Sequence, residues 1–426
     1  MSPRYLDARA AAAELGVTLP TLYAYVSRGL IRSERSGRSR VRRYRGDDIR
    51  ALKDRRQHRR DPAQVAEVAL HWGLPVLDSA LSLIADGRLY YRGVDVAMLA
   101  EHTSLEEVAA LLWTGDRGTP VFDAAEVSAA AWASVARGVG GGRRGRGGQP
   151  PTVLDAFQAA LPLAAVADPA AYDLRPAAVR RTGARIVRLL AAVAVDRRAM
   201  SAPVDVVLQR GWAPTIASAA PLLRATLVLC ADHELNVSTF TARCIASAGA
   251  TPYAVVSGGL AALQGFRHGG TSERLEAVVR EVGAPGRARR VLADRLRRGE
   301  LIPGFGHPLY PDGDPRARIL LALVARLRPR APGVLLMRAL AEAAEQLIGV
   351  PPNLDFALVT VARALGLPMG AAVGVMALGR TVGWIAHALE QYPDERLIRP
   401  RARYVGVPPA ARDAAAPVAA APERPR

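Results

Sequence analysis

From Asp61 onward, apolar side chains recur at i, i+3, i+4 and i+7 in one stretch after another: 105–113, 176–195, 215–231, 239–248, 272–282, 317–327, 334–348, 356–365 and 370–389. A helix turns every 3.6 residues, so each stretch carries one apolar stripe that must face a shared interior. Strand-like alternation is confined to Leu83–Tyr91, where Asp86-Gly87 marks the tip of a hairpin. The body of the chain is therefore expected to be mostly α. Its 426 residues, half of them hydrophobic, suffice for two or three domains and a large core. No uninterrupted apolar run reaches the ~18–20 residues of a bilayer span. The segment Met1-Ser2-Pro3-Arg4-Tyr5-Leu6-Asp7 lacks the apolar stretch of a secretion signal. The expectation is a soluble, cytoplasmic protein without membrane contact. Cys230 and Cys244 cannot build a disulfide framework and read as buried helix residues, and no residues have metal-ligand spacing.

The net charge of +18 is unevenly spread. Residues 1–60 carry 16 Lys and Arg against 6 Asp and Glu, whereas the other 366 carry 41 against 33. Lys53 is the only lysine, so arginine enrichment reflects GC-rich coding as much as a basic surface. Ala8–Leu15 reads as a helix closed by Gly16, and Thr18 as the N-cap of a second helix over about 19–28, with Leu22 and Val26 facing inward and Gly29 after its last turn. Ile31 follows, then a hairpin tip at Ser36-Gly37, then Val41 and Tyr44. Asp47 would cap a third helix running into Arg50–Arg60. The text from Leu15 to Val26, with Arg28-Gly29-Leu30-Ile31, resembles the winged helix-turn-helix of MerR-like and excisionase-like regulators. That resemblance implies duplex DNA as a partner of residues 1–60. Thr21, Tyr23 and Arg28 would meet a major groove, and Arg38, Arg40, Arg42 and Arg43 the phosphates. The alternative is a packing or dimerisation module whose arginines coat a solvated face.

Four polar segments interrupt the apolar helices: Asp232–Thr239, Gly265–Glu273, Pro303–Tyr310 with Asp314–Ala317, and Pro351–Phe356. They contain three of the seven histidines, bounded by glycines or helix-capping residues. The Gly/Arg-rich stretch Arg137–Pro151 reads as a surface loop, and the Ala/Pro-rich end of the chain as a disordered tail.

Taken in order, these segments resemble citrate synthase over about residues 70–407. The specific pieces are His268-Gly269-Gly270, Gly304-Phe305-Gly306-His307, Asp314-Pro315-Arg316-Ala317, Asn353-Leu354-Asp355-Phe356 and the run from Gly379 to His387. The resemblance implies a two-domain helical fold and a homodimer. With the small winged helix-turn-helix domain at 1–60, the large domain would span 61–267 and 366–407, the small domain 268–365, and the tail 408–426. It implies acetyl-CoA and oxaloacetate as substrates, with no metal and no separate cofactor. Asp355 matches the base that takes a methyl proton, His268 the donor to the thioester oxygen, and His307 the donor to the oxo acid carbonyl. Two glycines after His268 would let the backbone approach the ligand, and a helix starting near Thr271 would keep that imidazole neutral. Arg316 and Arg380 match bidentate carboxylate-binding arginines, and His233 a further oxaloacetate contact. Arg399 matches an arginine lent across the dimer interface. Asp355 could instead serve as a helix cap and Arg399 as a surface residue, while His387 reads as a packed histidine.

The match departs from the family at three places. Thr271-Ser272-Glu273 stands where Ala-Asn-Glu is usual, Ala357-Leu358 where Ser-Gly commonly follows the aromatic, and Pro308 where many members carry Arg. The implied reaction is condensation of acetyl-CoA with oxaloacetate and water to citrate and CoA. Use of propionyl-CoA, giving 2-methylcitrate, is the neighbour within the class. A transcriptional regulator that senses a metabolite through a synthase-like body is the rival from another class.

Overall fold

A computed structural model of the chain describes residues 5–27, 31–35, 42–46, 48–49, 77–123, 126–143, 151–197, 201–402 and 404–407. Two compact units emerge, Met1–Asp78 with Arg399–Arg426, and Ser79–Ile398.

In the first unit, Asp7 caps the helix Ala8–Leu15 by accepting from Ala10 N at 2.8 Å, and Gly16 ends it with φ of 61°. The second helix is Leu19–Ser27, where Thr18 and Thr21 share a hydroxyl contact of 2.9 Å. A three-stranded antiparallel sheet stands beside them, with Arg42–Arg45 between Tyr5–Leu6 and Ser33–Arg35. Ala11, Leu15, Leu22, Ile31, Tyr44 and Ile49 form a small core of their own. Asp48 clamps Arg32, accepting from its backbone N and from its guanidinium. The expected hairpin tip at Ser36-Gly37, the helix Arg50–Arg60 with its cap Asp47, and the tail 408–426 lie outside the described residues.

The second unit is built on helices. The expected hairpin pairs Ser82–Ala85 with Arg88–Tyr91, and Val94–Asp95 adds a third short strand. Each of the nine periodic stretches corresponds to a helix: Leu105–Thr114, Pro176–Ala194, Ala219–Cys230, Val237–Ser247, Gly270–Val282, Pro315–Leu327, Pro332–Ile348, Leu354–Leu365 and Ala371–Gln391. Periodicity missed others. Val153–Val166 and Pro252–Leu263 are apolar on most sides, which blurs the stripe. The expected loop at 137–151 is helical as far as Arg143. A Cβ on Gly138 would lie 2.3 Å from Leu163 Cδ1, so glycine lets this helix press against Val153–Val166. That packing offsets the poor helix propensity of glycine.

Ala371–Gln391 is long and apolar enough to cross a membrane, yet 94% of its most apolar window is buried inside the fold. It is the central core helix, packed against Pro176–Ala194, Ala219–Cys230, Val237–Ser247 and Pro252–Leu263. His387 on this helix is fully buried, but it is not simply packed among apolar groups. Its Nε2 lies 3.3 Å from Asp232 Oδ1, and its Nδ1 is 3.5 Å from Arg243, which also pairs with Glu390. The expected boundaries between a large and a small domain, at 268 and 365, fall inside the unit Ser79–Ile398.

Candidate active site

Hydrogen bonds tie the four polar segments together: two by backbone pairing, the others through side chains. The loop before His307 pairs with the loop before Asp355: Gly306 N donates to Pro351 O, and Asn353 N to Gly304 O, each at 2.9 Å. Asn353 Nδ2 adds a bond to Gly306 O, and the Phe305 and Phe356 rings lie 5.0 Å apart. Asp314 caps Pro315–Leu327 and also accepts from Leu354 N at 3.2 Å, which ties the Asp-Pro-Arg turn to the Asn-Leu-Asp turn. One frame therefore holds His307, Arg316 and Asp355.

His233 joins this frame through Tyr310. Its Nε2 lies 2.9 Å from the Tyr310 hydroxyl, and its ring centroid lies 5.4 Å from that of His307. His268 Nε2 sits 3.0 Å from Ser238 Oγ on the neighbouring helix. Asp355, in the first turn of Leu354–Leu365, accepts from Ser272 Oγ at 2.6 Å. At the turn after His268, glycine also answers a packing need. A Cβ on Gly269 would meet Leu263 O at 2.6 Å, so this glycine admits a neighbouring carbonyl of the chain itself.

Two guanidiniums buried nearby act on these groups, at 4% and 1% exposure for Arg316 and Arg380. They are not equivalent. Arg316 spends its bidentate edge on Asp314, with Nε to Oδ1 at 3.0 Å and a terminal nitrogen to Oδ2 at 2.8 Å. Arg380 donates Nε to Cys230 O at 2.8 Å and makes no ion pair among the described residues. Burying such a cation is costly unless an anion comes to it, so Arg380 is the stronger point of attachment for a carboxylate.

This positive field shapes the titration of the site. Burial, reinforced by Arg380, takes His268 down to about 4. Burial and Arg316 take His307 to about 4 against the opposing pull of Asp314. His233 is pushed well below its ordinary value by burial, then by Arg316 and Arg380. All three imidazoles are thus neutral near pH 7. His307 Nδ1 accepts from Leu309 N at 3.2 Å, so its proton resides on Nε2. Burial raises Asp355 to about 6, partly countered by the Ser272 hydroxyl and then by Arg316. A carboxylate lifted in this way is a better proton acceptor than an exposed one.

Among the expected site residues, His233, His268, His307, Arg316, Asp355 and Arg380 come from the one unit Ser79–Ile398. Arg399 belongs to the other unit and is exposed. Sequence reasoning assigns no role to Tyr310, Ser238 or Ser272. Tyr310 lies within one of the four polar segments, and its phenol, raised to about 12 mainly by burial, marks it as a neutral partner for His233. Ser238 follows Asn236 in a capping sequence that hides its other contact.

In the first unit, Arg42 and Arg43 are exposed on the central strand, Tyr23 is half exposed, and Thr21 is partly buried. Arg28, Arg38 and Arg40 lie outside the described residues.

Comparison with known proteins matches residues 69–401 to the citrate synthase C-terminal domain. Residues 7–59 match the MerR HTH family of regulatory proteins. Citrate synthase 2 of Bacillus subtilis is 31% identical over 353 residues, covering 78% of this chain and 94% of that protein. The 2-methylcitrate synthase of Shewanella oneidensis is 30% identical over 373 residues, covering 78% and 93%. The crystal structure of citrate synthase from Thermotoga maritima aligns at 26% identity with a TM-score of 0.65, covering 79% of this chain and 94% of that one. A helical body with this site, matched over most of its length, and a short N-terminal helix-turn-helix lead to one assignment: the chain belongs to the citrate synthase family and carries a MerR-type domain ahead of its catalytic body.

Proposed function

We propose that the protein condenses acetyl-CoA with oxaloacetate and water, releasing citrate and CoA. The observation that carries this reading is the hydrogen-bonded frame that gathers a carboxylate of raised proton affinity and neutral imidazoles in one unit with a buried guanidinium that has no ion pair among the described residues. Arg380 and the remaining nitrogen of Arg316 would hold the oxaloacetate carboxylates, with His233 donating from Nδ1 while the Tyr310 hydroxyl donates to its Nε2. Asp355 takes a methyl proton from the thioester as His268 hydrogen-bonds the thioester oxygen, so an enolate forms with its charge held by that donor. His268 can donate from Nδ1 only when Ser238 gives its proton to Nε2, so the Ser238 hydroxyl must turn from Asn236 Oδ1, 2.7 Å away. The enolate carbon attacks the keto carbon, and that carbonyl oxygen takes the proton of His307 Nε2, which the proton held on Asp355 replaces through solvent. Water then cleaves the citryl thioester and CoA leaves as the thiol. In this scheme the chain's own side chains suffice, without a resident cofactor. Arg399 would reach the acceptor from a second copy of the chain, making the working unit a homodimer in the cytoplasm.

Steady-state release of free thiol by the purified full chain tests this. Turnover with acetyl-CoA plus oxaloacetate is expected, with a lower kcat/KM for propionyl-CoA. A preference for propionyl-CoA would reassign the chain to 2-methylcitrate formation. Absence of thiol release with either would remove the reading.

A second reading has its own observation. A MerR-type match and two exposed arginines on a short strand favour duplex DNA as a further partner of the first unit. A salt-sensitive mobility shift is expected, and no shift at low salt would discard it.

A further inference from the structure

Ser272 occupies the place where the sequence departs from the usual Asn after His-Gly-Gly. Its side chain reaches across to another helix. The residue is 1% exposed, in the first turn of Gly270–Val282, and its hydroxyl donates to Asp355 Oδ1 at 2.6 Å. Asp355 Oδ2 makes no hydrogen bond among the described residues. A buried hydroxyl beside a carboxylate does two things. It fixes rotation of the carboxylate about its last bond, and it stabilises the ionised form. The backbone of the base is held independently, since Asp355 N donates to Asn353 Oδ1 at 3.1 Å. Losing the serine hydroxyl therefore leaves the helix start intact and frees only the carboxylate.

We propose that Ser272 is the positioning residue of the base, pinning Asp355 Oδ1 so that Oδ2 is the oxygen presented to the substrate methyl group. This rests on Asp355 being the proton acceptor. The other groups that act on the Asp355 carboxylate are Arg316 on Pro315–Leu327, Asp314 at the cap of that helix, and the Cys230 thiol on Ala219–Cys230. Arg316 favours ionisation and Asp314, its ion-pair partner, opposes it, with Arg316 the larger of the two at Asp355. The Cys230 thiol is itself pushed up to about 12, so it stays neutral and adds no charge over the working range. The serine hydroxyl is the side-chain hydrogen-bond donor to the carboxylate, and it outweighs the smaller contribution of the Asp355 backbone N–H.

The test compares wild type, Ser272→Ala and Ser272→Thr in the full chain. The Asp355 carboxyl carbon is followed by NMR in aspartate-labelled protein and assigned against Asp355→Asn. Its midpoint is expected to rise by at least half a pH unit in Ser272→Ala and to return towards wild type in Ser272→Thr, which restores the hydroxyl. The acid limb of kcat/KM should shift with it. kcat should fall about tenfold while the KM for oxaloacetate stays within twofold, since no acceptor contact is touched. An unchanged midpoint in Ser272→Ala, or an equal loss in Ser272→Thr, would overturn the proposal. If the wild type titrates and shifts as stated but gives no condensation, the contact stands and the assigned reaction fails, so the two are separable.

Discussion

The two units use the same residue type in opposite ways. On the first, Arg42 and Arg43 are exposed on a small sheet. In the second, Arg316 and Arg380 are buried and act on three neutral imidazoles. An exposed guanidinium is hydrated and screened, so it can only add to a sum of many weak contacts with an extended polyanion. A buried one works through few contacts, at low dielectric, on a ligand small enough to enter. The difference teaches that the total charge of +18 is a poor guide to function in this chain, and that burial assigns each arginine its kind of partner.

That contrast can be attacked from its strongest side. Asp355→Ala should lower condensation by roughly 10³-fold or more while oxaloacetate still binds. Retained turnover would move the base elsewhere. Arg380→Ala should weaken oxaloacetate binding by about 10–100-fold, the worth of a charge-assisted bond, with little dependence on salt. A strong salt dependence would make this cation an exposed one in practice. With Asp355 at about 6, kcat/KM should fall roughly tenfold per pH unit below 6 and level off above it, since the base must be ionised. The stability linked to this group runs the other way. Its folded value lies above the unfolded one, so its contribution decreases as pH rises from the ordinary carboxylate range to about 6. A level profile across that range would contradict the raised value.

Smaller effects belong to the surface. Arg42→Ala with Arg43→Ala should reduce the salt slope of DNA binding by about 2, one for each phosphate no longer neutralised, and leave thiol release untouched. An unchanged slope would turn the first unit into a packing module. Arg399→Ala should raise the KM for oxaloacetate a few-fold without dissociating the proposed homodimer, as read by sedimentation. A null effect would return Arg399 to the ordinary surface.

What could be read from the sequence follows from the range of the interactions involved. The hairpin at Asp86-Gly87, the helix closed by Gly16 and the amphipathic helices are local, so spacing and caps revealed them. Val153–Val166 stayed hidden because its exposed face is also largely apolar, so few polar residues set its period. The helical run to Arg143 stayed hidden because Gly138 serves packing with Leu163, a contact 25 residues away. The site residues were found by likeness of short motifs, and that likeness conveys residue types without their partners. Asp314 taking the bidentate edge of Arg316, Tyr310 meeting His233 and Ser272 meeting Asp355 span 2, 77 and 83 positions. The first could be seen in the Asp-Pro-Arg spacing, where a cap and a guanidinium fall on one helix turn. The other two arise only when separate helices meet.

Carbon–carbon bond formation itself is the most direct measurement. Acetyl-CoA labelled with ¹³C in the methyl group is incubated with oxaloacetate and the full chain, and the products are resolved by mass spectrometry. Label should appear in citrate for wild type and be absent for Asp355→Asn. Thiol release with all label recovered in acetate would show a thioester hydrolase instead, and would contradict the roles of Asp355, His268 and His307 in condensation.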